Sequence, residues 1–301
     1  MIIDQPGKVN ERIWLVGRRE ACAYLVDGGG TFALLGGAMA YVVPDFLDQL
    51  KLFDIDEAKI SRIIILHSHF DHCGMVPFLK RRWPWATVTA SERARELMKS
   101  EKIVENIEML NQAVLKQRGM MEVAKDLNLS FDGIEVEDVV HDQDRLVLGD
   151  LTLEILAVPG HSSCSVAVYA PEQKAIFASD AGGIPFGDEV FTAANSNFDH
   201  YQQSLEKMAA REINIYLAEH YGALTGEAGR GFLQKSMAAA RTTRAALEQT
   251  YADTGGDAEK TAEKITDYMM ARAPADFLPR EVIALVAGQM VRFIAKKAAA
   301  A

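Results

Sequence analysis

The chain has 301 residues, 49% hydrophobic and 25% charged, a composition that excludes a disordered chain and suits one large core with room for a smaller helical unit. Its 32 Lys and Arg against 42 Asp and Glu give a formal net charge of −10, which speaks against gripping nucleic acid but not against a local basic patch for one anionic substrate. Cys22, Cys73 and Cys164 are odd in number and widely spaced, so no disulfide framework is expected and a reducing compartment is. The opening Met1-Ile2-Ile3-Asp4-Gln5-Pro6 lacks the basic and apolar regions of a signal peptide, and no run approaches the ~20 apolar residues of a membrane span. The expectation is a cytoplasmic protein with no membrane partner.

Strands and helices alternate through the first two thirds. Ala23 to Val26 and Thr31 to Leu35 flank Asp27-Gly28-Gly29-Gly30, a hairpin signal. Arg62 to Leu66 is nearly all apolar and suits a strand buried on both faces. Ser91 can cap a helix running through Arg93 and Leu97. Ile103, Ile107, Leu110 and Val114 step by four, three and four, which is one helical face. Leu146 to Leu148 and Leu151 to Ile155 flank Gly149-Asp150 as a second hairpin, with Leu151, Leu153 and Ile155 on a buried face. Val166 to Ala170 and Lys174 to Ala178 follow, then a helix capped by Asp199 and a last strand, Ile213 to Leu217.

After Thr225 the pattern changes to three helices and no strand, so residues 1–224 and 225–301 are expected to form an α/β domain and a helical cap. Phe232, Leu233, Met237, Ala240, Leu247 and Tyr251 form one stripe, ended by Gly255-Gly256. Ala262, Ile265 and Met269 form a second. Pro279 opens a third, with Val282, Val286, Met290 and Phe293 on one face.

The segment that carries chemistry is His67-Ser68-His69-Phe70-Asp71-His72-Cys73-Gly74, directly after the apolar strand. Three of seven histidines fall within six positions beside a carboxylate, an arrangement that suits metal ligation. Burying those groups without a cation would leave unmet hydrogen bonds or unfavourable charge. His161, Asp180 and His220 each lie at the exit of a predicted strand, where ligands gather in open sheets.

This sequence resembles the metallo-β-lactamase-fold hydrolases, whose signature is His-x-His-x-Asp-His followed by a distant His, Asp and His. The resemblance covers roughly residues 10–225. It implies a four-layer αββα sandwich of the α/β (α+β) class with a C-terminal helical extension. It further implies that His67, His69 and His161 hold one metal, that Asp71, His72 and His220 hold a second, and that Asp180 bridges both. Histidine at position 69 is similar to the hydrolase branch and unlike the flavin-linked diiron oxygen reductases. The family often carries Asp-x-Gly before the first helix; Leu35-Gly36-Gly37 stands there instead, so that carboxylate is expected to be missing. The runs from His72 to Leu79, Ala90 to Arg93, Lys99 to Glu101 and Asp276 to Pro279 are similar to a thioesterase branch of the family that acts on aromatic acyl-coenzyme A and covers its metal site with C-terminal helices.

The implied cofactors are two divalent ions, zinc or iron, with manganese equally suited to the mixed ligands. They would hold a bridging hydroxide that attacks a carbonyl, with Asp71 as ligand and as the catalytic residue orienting that hydroxide. A thiolate leaving group, with a pKa of about 8.5, needs little help from a general acid, which favours a small acyl thioester as substrate. A lactone or a glyoxalase II-type substrate is the alternative; a metal-binding regulator acting through a protein partner is another. A homodimer is compatible with the resemblance. Expected substrate contacts are Tyr221 beside a ligand, Gly183 and Phe186 in a loop after Asp180, and Phe277 and Leu278 if the helices fold over the metals. His141 and His200 are expected at the surface, and Cys73 in packing.

Overall fold

The computed structural model describes residues 1–273 and 279–299. From the N-terminus come β1 (Ile2–Ile3), β2 (Gly7–Lys8), β3 (Ile13–Arg18), β4 (Ala21–Asp27), β5 (Phe32–Leu35), helix α1 (Val43–Leu52) and β6 (Ile60–Ile64). Then follow α2 (Phe70–Cys73), α3 (Val76–Arg82), β7 (Thr87–Ser91), α4 (Glu92–Met98), α5 (Glu101–Gln117), α6 (Met121–Leu127) and β8 (Asp138–Val140). The next strands are β9 (Arg145–Leu148), β10 (Leu151–Ala157), β11 (Val166–Ala170), β12 (Ala175–Phe177), β13 (Ile184–Phe186) and β14 (Glu189–Phe191). After α7 (Phe198–Ala209), β15 (Ile215–Leu217) and β16 (Ala223–Thr225), the chain ends in α8 (Glu227–Asp253), α9 (Ala258–Met270) and α10 (Arg280–Ala298).

Two seven-stranded sheets stack face to face. One has the order β2-β3-β4-β5-β6-β7-β8, the other β1-β16-β15-β12-β11-β10-β9. Three apolar layers fill the sandwich. Ile13, Leu15, Tyr24, Leu35, Ile64, Leu153, Ile155 and Phe177 pack between the sheets. Val16, Leu25, Phe46, Ile63, Leu79 and Trp83 pack the first sheet against its helices. Leu156, Tyr216, Phe232, Leu247, Ile283 and Met290 pack the second sheet against α7–α10. Alternate residues of a strand face opposite sides, so Ile63 and Ile64 feed different layers. The result is the four-layer αββα sandwich with a helical extension.

Among the described residues, those after Thr225 form three helices and no strand. These helices share one core with residues 156–224 and do not form a separate one. No described helix is long and apolar enough to cross a membrane.

Several sequence expectations are corrected. Asn197, not Asp199, caps α7: its side chain accepts from His200 N, while Asp199 lies in the first turn. Leu110 is 40% exposed, because the buried line of α5 runs through Ile107, Asn111 and Leu115 instead. Pro279 is the N-cap of α10 with an extended ψ of 145°, just outside the first turn. The stretch after Asp180 is no loop: β13 and β14 pair as an antiparallel hairpin. The N-terminal strands β1 to β3, the parallel strands β7 and β8, and α1 were not predicted. Ser91 does cap α4, accepting from Ala94 N at 3.1 Å.

Candidate metal centre

The cluster at residues 67–72 works because the backbone changes conformation in its middle. His67 and His69 lie in an extended stretch after β6, two residues apart, so their side chains share one side. His69 then caps the single turn of α2, which carries Asp71 and His72 away in another direction. One hexapeptide thus feeds two groups: His67 and His69 converge with His161, whereas Asp71 and His72 converge with His220. In each group the ligating atoms lie within 4.8 Å of one another.

The distant members arrive from the second sheet. His161 follows β10 behind Gly160, whose φ is +133°. A side chain at Gly160 would put its Cβ 2.2 Å from Tyr201 N, so this close approach admits only glycine. Asp180 sits in a short turn after β12, and His220 lies between β15 and β16. Ser179, beside Asp180, holds φ +49°, a strained value for a non-glycine residue.

Three of the five ring orientations are fixed from behind by hydrogen bonds. His161 Nδ1 donates to Ala193 O at 2.8 Å, and His220 Nδ1 donates to Glu20 O at 2.7 Å. His67 Nδ1 lies 3.1 Å from Ser179 Oγ, whereas His72 Nδ1 faces Glu219 Oε2 at 3.1 Å as a charge contact without hydrogen-bond geometry. A ring that donates from Nδ1 leaves Nε2 as a lone pair, the form a metal needs. The inward-facing ring nitrogens crowd together. His161 Nε2 is 3.0 Å from His69 Nδ1, and His220 Nε2 is 3.1 Å from His72 Nε2.

Asp180 Oδ2 stands 3.5 Å from His161 Nε2 of one group and 3.3 Å from His72 Nε2 of the other. It is the carboxylate common to both. Asp71 Oδ2 stays with the second group, 3.4 Å from His72 Nε2 and 3.6 Å from His220 Nε2. His67 Nε2 and Asp180 Oδ1 are buried without a hydrogen-bond partner. Orphaned acceptors amid crowded imidazoles are costly unless a cation relieves them, so the residues fit divalent metal ions.

Protonation divides along the same line. Burial first, and neighbouring histidines next, hold His67 well below the ordinary imidazole pKa and bring His69 to about 4. Burial also lowers His161. Burial opposes charge on His72 too, but Asp71, Asp180 and Glu219 outweigh it and raise its pKa well above the ordinary value. His220 is raised against its burial, chiefly by Asp180. Burial alone would raise the carboxyls of Asp71 and Asp180, but His72 and His220, joined at Asp180 by His161, together outweigh it and hold both well below the carboxylate range.

Sequence reasoning missed Glu219. It neighbours His220, is 1% exposed, and its carboxylate accepts the Ser179 hydroxyl. A Cβ at Gly36 would meet Glu219 Oε1 at 2.3 Å, so the carboxylate occupies space that the bare Gly36 leaves open. A buried carboxylate therefore does stand beside Leu35-Gly36-Gly37, delivered from the other sheet. The signal was present: a missing acid in one segment and a spare Glu beside a ligand-type histidine in another.

The expected substrate contacts fare unevenly. Gly183 is buried and its carbonyl accepts from Tyr216 OH at 2.7 Å; a Cβ there would meet Ser236 Oγ at 2.7 Å and Val190 Cγ1 at 2.8 Å. Tyr221 adopts φ +61° and packs in the second-sheet core, with the Arg19 guanidinium 5.3 Å from its ring centre. Phe186 ends β13, and its side chain lies outside the described residues. Phe277 and Leu278 lie outside them altogether. His141 and His200 are exposed and join neither group. Cys73 is buried and its thiol donates to His69 O.

An αββα sandwich with paired His and Asp groups at one end of its strands defines a class of metal-binding hydrolase folds. The chain belongs to the metallo-beta-lactamase superfamily, whose sequence pattern matches residues 7–220. It is 27% identical over 165 residues to a hydroxyacylglutathione hydrolase of Parasynechococcus marenigrum, covering 54% of this chain and 49% of that one. A protein named glyoxylase B2 of Dictyostelium discoideum is 24% identical over 165 residues, covering 53% and 49%. The chain thus spans about half the length of these curated relatives. A metallo-beta-lactamase family protein of Thermus thermophilus shares the fold, with a TM-score of 0.68 over 97% of this chain and 96% of its own, at 17% identity.

Proposed function

We propose that the chain is a dimetal hydrolase of a small acyl thioester, with His67, His69 and His161 on one ion, Asp71, His72 and His220 on the other, and Asp180 on both. The observation that carries this reading is the single carboxylate, Asp180, shared by two convergent groups. Zinc or iron suits such mixed imidazole and carboxylate donors. Divalent ions held there would supply a nucleophilic hydroxide at neutral pH and Lewis-acid polarisation of a carbonyl. Asp71 stays ionised and would accept the hydrogen bond that orients the nucleophile. His161 and His220, locked from behind, keep Nε2 directed at the centre.

The thioester preference rests on the leaving group. A thiol of pKa about 8.5 departs as thiolate without a strong general acid. A relative's name supports the same chemistry: hydroxyacylglutathione hydrolase acts on an acylated thiol peptide. That name also supports the second reading, a glyoxalase II-type substrate.

A panel of acyl-coenzyme A esters, an acylglutathione, lactones and phosphodiesters, run with the wild type and with His69→Ala and Asp180→Ala, tests the proposal. Thioester turnover lost in both variants is expected. Turnover of lactones or phosphodiesters alone, sensitive to the same variants, overturns the thioester reading.

A further inference from the structure

We propose that a basic cavity between the 193–197 segment and the last helix binds the nucleoside-phosphate end of a coenzyme A thioester. This rests on the thioester reading above and specifies which thiol carries the acyl group.

The cavity has a volume of about 480 Å³, in the range of small-molecule sites. One wall is Asn195 and Asn197. The other is Gln289, Arg292, Phe293 and Lys296, spaced three, one and three residues apart and therefore on one face of α10. Neither Arg292 nor Lys296 has an ion-pair partner among the described residues, although the chain carries a net charge of −10. Lys297 also lines the cavity, but Asp199 holds it at 2.6 Å and holds Arg244 at 2.7 Å, so that carboxylate is already neutralised. Two free cations are thus left for an anion.

The remaining walls match a base rather than a bare phosphate. Asn195 Oδ1 and Gln289 Oε1 are buried and have no hydrogen-bond partner. Unpaired buried acceptor oxygens are costly, and the exocyclic amino group of a purine is a donor that either oxygen meets by a turn of its side chain. Phe293 is half-buried and supplies an apolar ring face on which a base can stack. Lysines in a last helical turn also complement the helix dipole, which accounts for Lys296 but for neither orphaned amide.

The cavity wall is tied to the metal centre by hydrogen bonds. Ala193 O, two residues before Asn195, accepts from His161 Nδ1. Ser196 N and Asn197 N both donate to Gly160 O, at 2.9 and 3.0 Å, and Gly160 directly precedes His161. A nucleotide anchored here would stand against the segment that fixes His161 from behind.

The test uses the full, metal-loaded chain and an Arg292→Ala/Lys296→Ala double variant, both positions being exposed and outside the metal groups. Calorimetry measures binding of coenzyme A, 3′-dephospho-coenzyme A and adenosine 3′,5′-bisphosphate. Hydrolysis is compared for one acyl group on coenzyme A and on N-acetylcysteamine. We expect the double variant to weaken coenzyme A binding at least about tenfold and to raise KM for its thioester similarly, leaving the N-acetylcysteamine thioester unchanged. If wild type and variant handle both thioesters alike, the cavity proposal falls and the thioester reading stands. If coenzyme A binds through Arg292 and Lys296 but no thioester is hydrolysed, the cavity stands and the thioester reading falls. Absence of coenzyme A binding to the wild type overturns the cavity proposal outright.

Discussion

Glu219 Oε2 lies 3.1 Å from His72 Nδ1, and the same carboxylate accepts the Ser179 hydroxyl that stands 3.1 Å from His67 Nδ1. One buried acid therefore stands behind a histidine of each group. Through Ser179 it favours the His67 tautomer with a free Nε2; at His72 its charge favours a proton on the Nδ1 side, which leaves Nε2 for a metal once the ring gives up its second proton. Carboxylates behind metal-binding histidines commonly change metal affinity by about 10–100-fold when removed. Glu219→Ala is expected to weaken divalent-ion binding by that order, and Glu219→Gln by less, since an amide oxygen still accepts. Competition with a chromophoric chelator measures both. Wild-type affinity in both variants would remove Glu219 from the support of the centre.

Asp180 has a different signature, because both groups approach its Oδ2. Asp180→Asn weakens the shared contact without emptying the space. Elemental analysis should show fewer than two ions per chain, and hydrolysis should fall by on the order of 100-fold or more, as for loss of a preorganised charge. A variant retaining two tightly bound ions and wild-type turnover contradicts a bridging role.

Much of this centre was legible because its ligands are chemically costly and closely spaced. Three histidines and an acid after a nearly all-apolar strand have few other uses, and that strand was equally plain from Ile63, Ile64 and Ile65. Glu219 was not legible in the same way. Its partners His67 and Ser179 lie 152 and 40 positions away, and nothing local reveals which space Gly36 leaves open. Short strands such as Asp138–Val140 also escape local patterning, because three residues carry no period and the parallel partner Thr89–Ser91 lies far back in the chain. The buried face of α5 was misjudged at Leu110 because a polar residue, Asn111, takes the inward position.

The shared core of the second sheet and the C-terminal helices makes a stability prediction. Ile283 is fully buried in α10 and belongs to the same cluster as Tyr216 of β15 and Phe198 of α7. Ile283→Ala should cost about 2–5 kcal/mol through lost burial and the cavity left behind. Because the cluster is continuous, urea unfolding followed by far-ultraviolet circular dichroism and by tryptophan fluorescence should give coincident transitions in wild type and variant. The tryptophans, Trp14, Trp83 and Trp85, all lie in the N-terminal part of the chain. An early loss of helix with unchanged fluorescence would mean that α8–α10 unfold separately.

Acid should empty the two groups in order. His67, His69 and His161 have lowered pKa values, so protons compete weakly for their ring nitrogens, at His69 only near about 4. His72 and His220 have raised values, so protons compete with metal there already at higher pH. Ligation requires deprotonated imidazole, and binding releases the proton. As pH falls, the ion on Asp71, His72 and His220 should leave first, and the ion on His67, His69 and His161 should persist to lower pH. In the metal-free chain the sign is opposite for stability: raised histidines stabilise the fold below their unfolded pKa of about 6.5 and lose that contribution as pH rises through the folded value. Metal should therefore stabilise the fold more at pH 8 than at pH 6. Cobalt substitution, followed by visible absorption during an acid titration, resolves the two releases. Simultaneous release, or loss from the three-histidine group first, contradicts the assignment of charge between the groups.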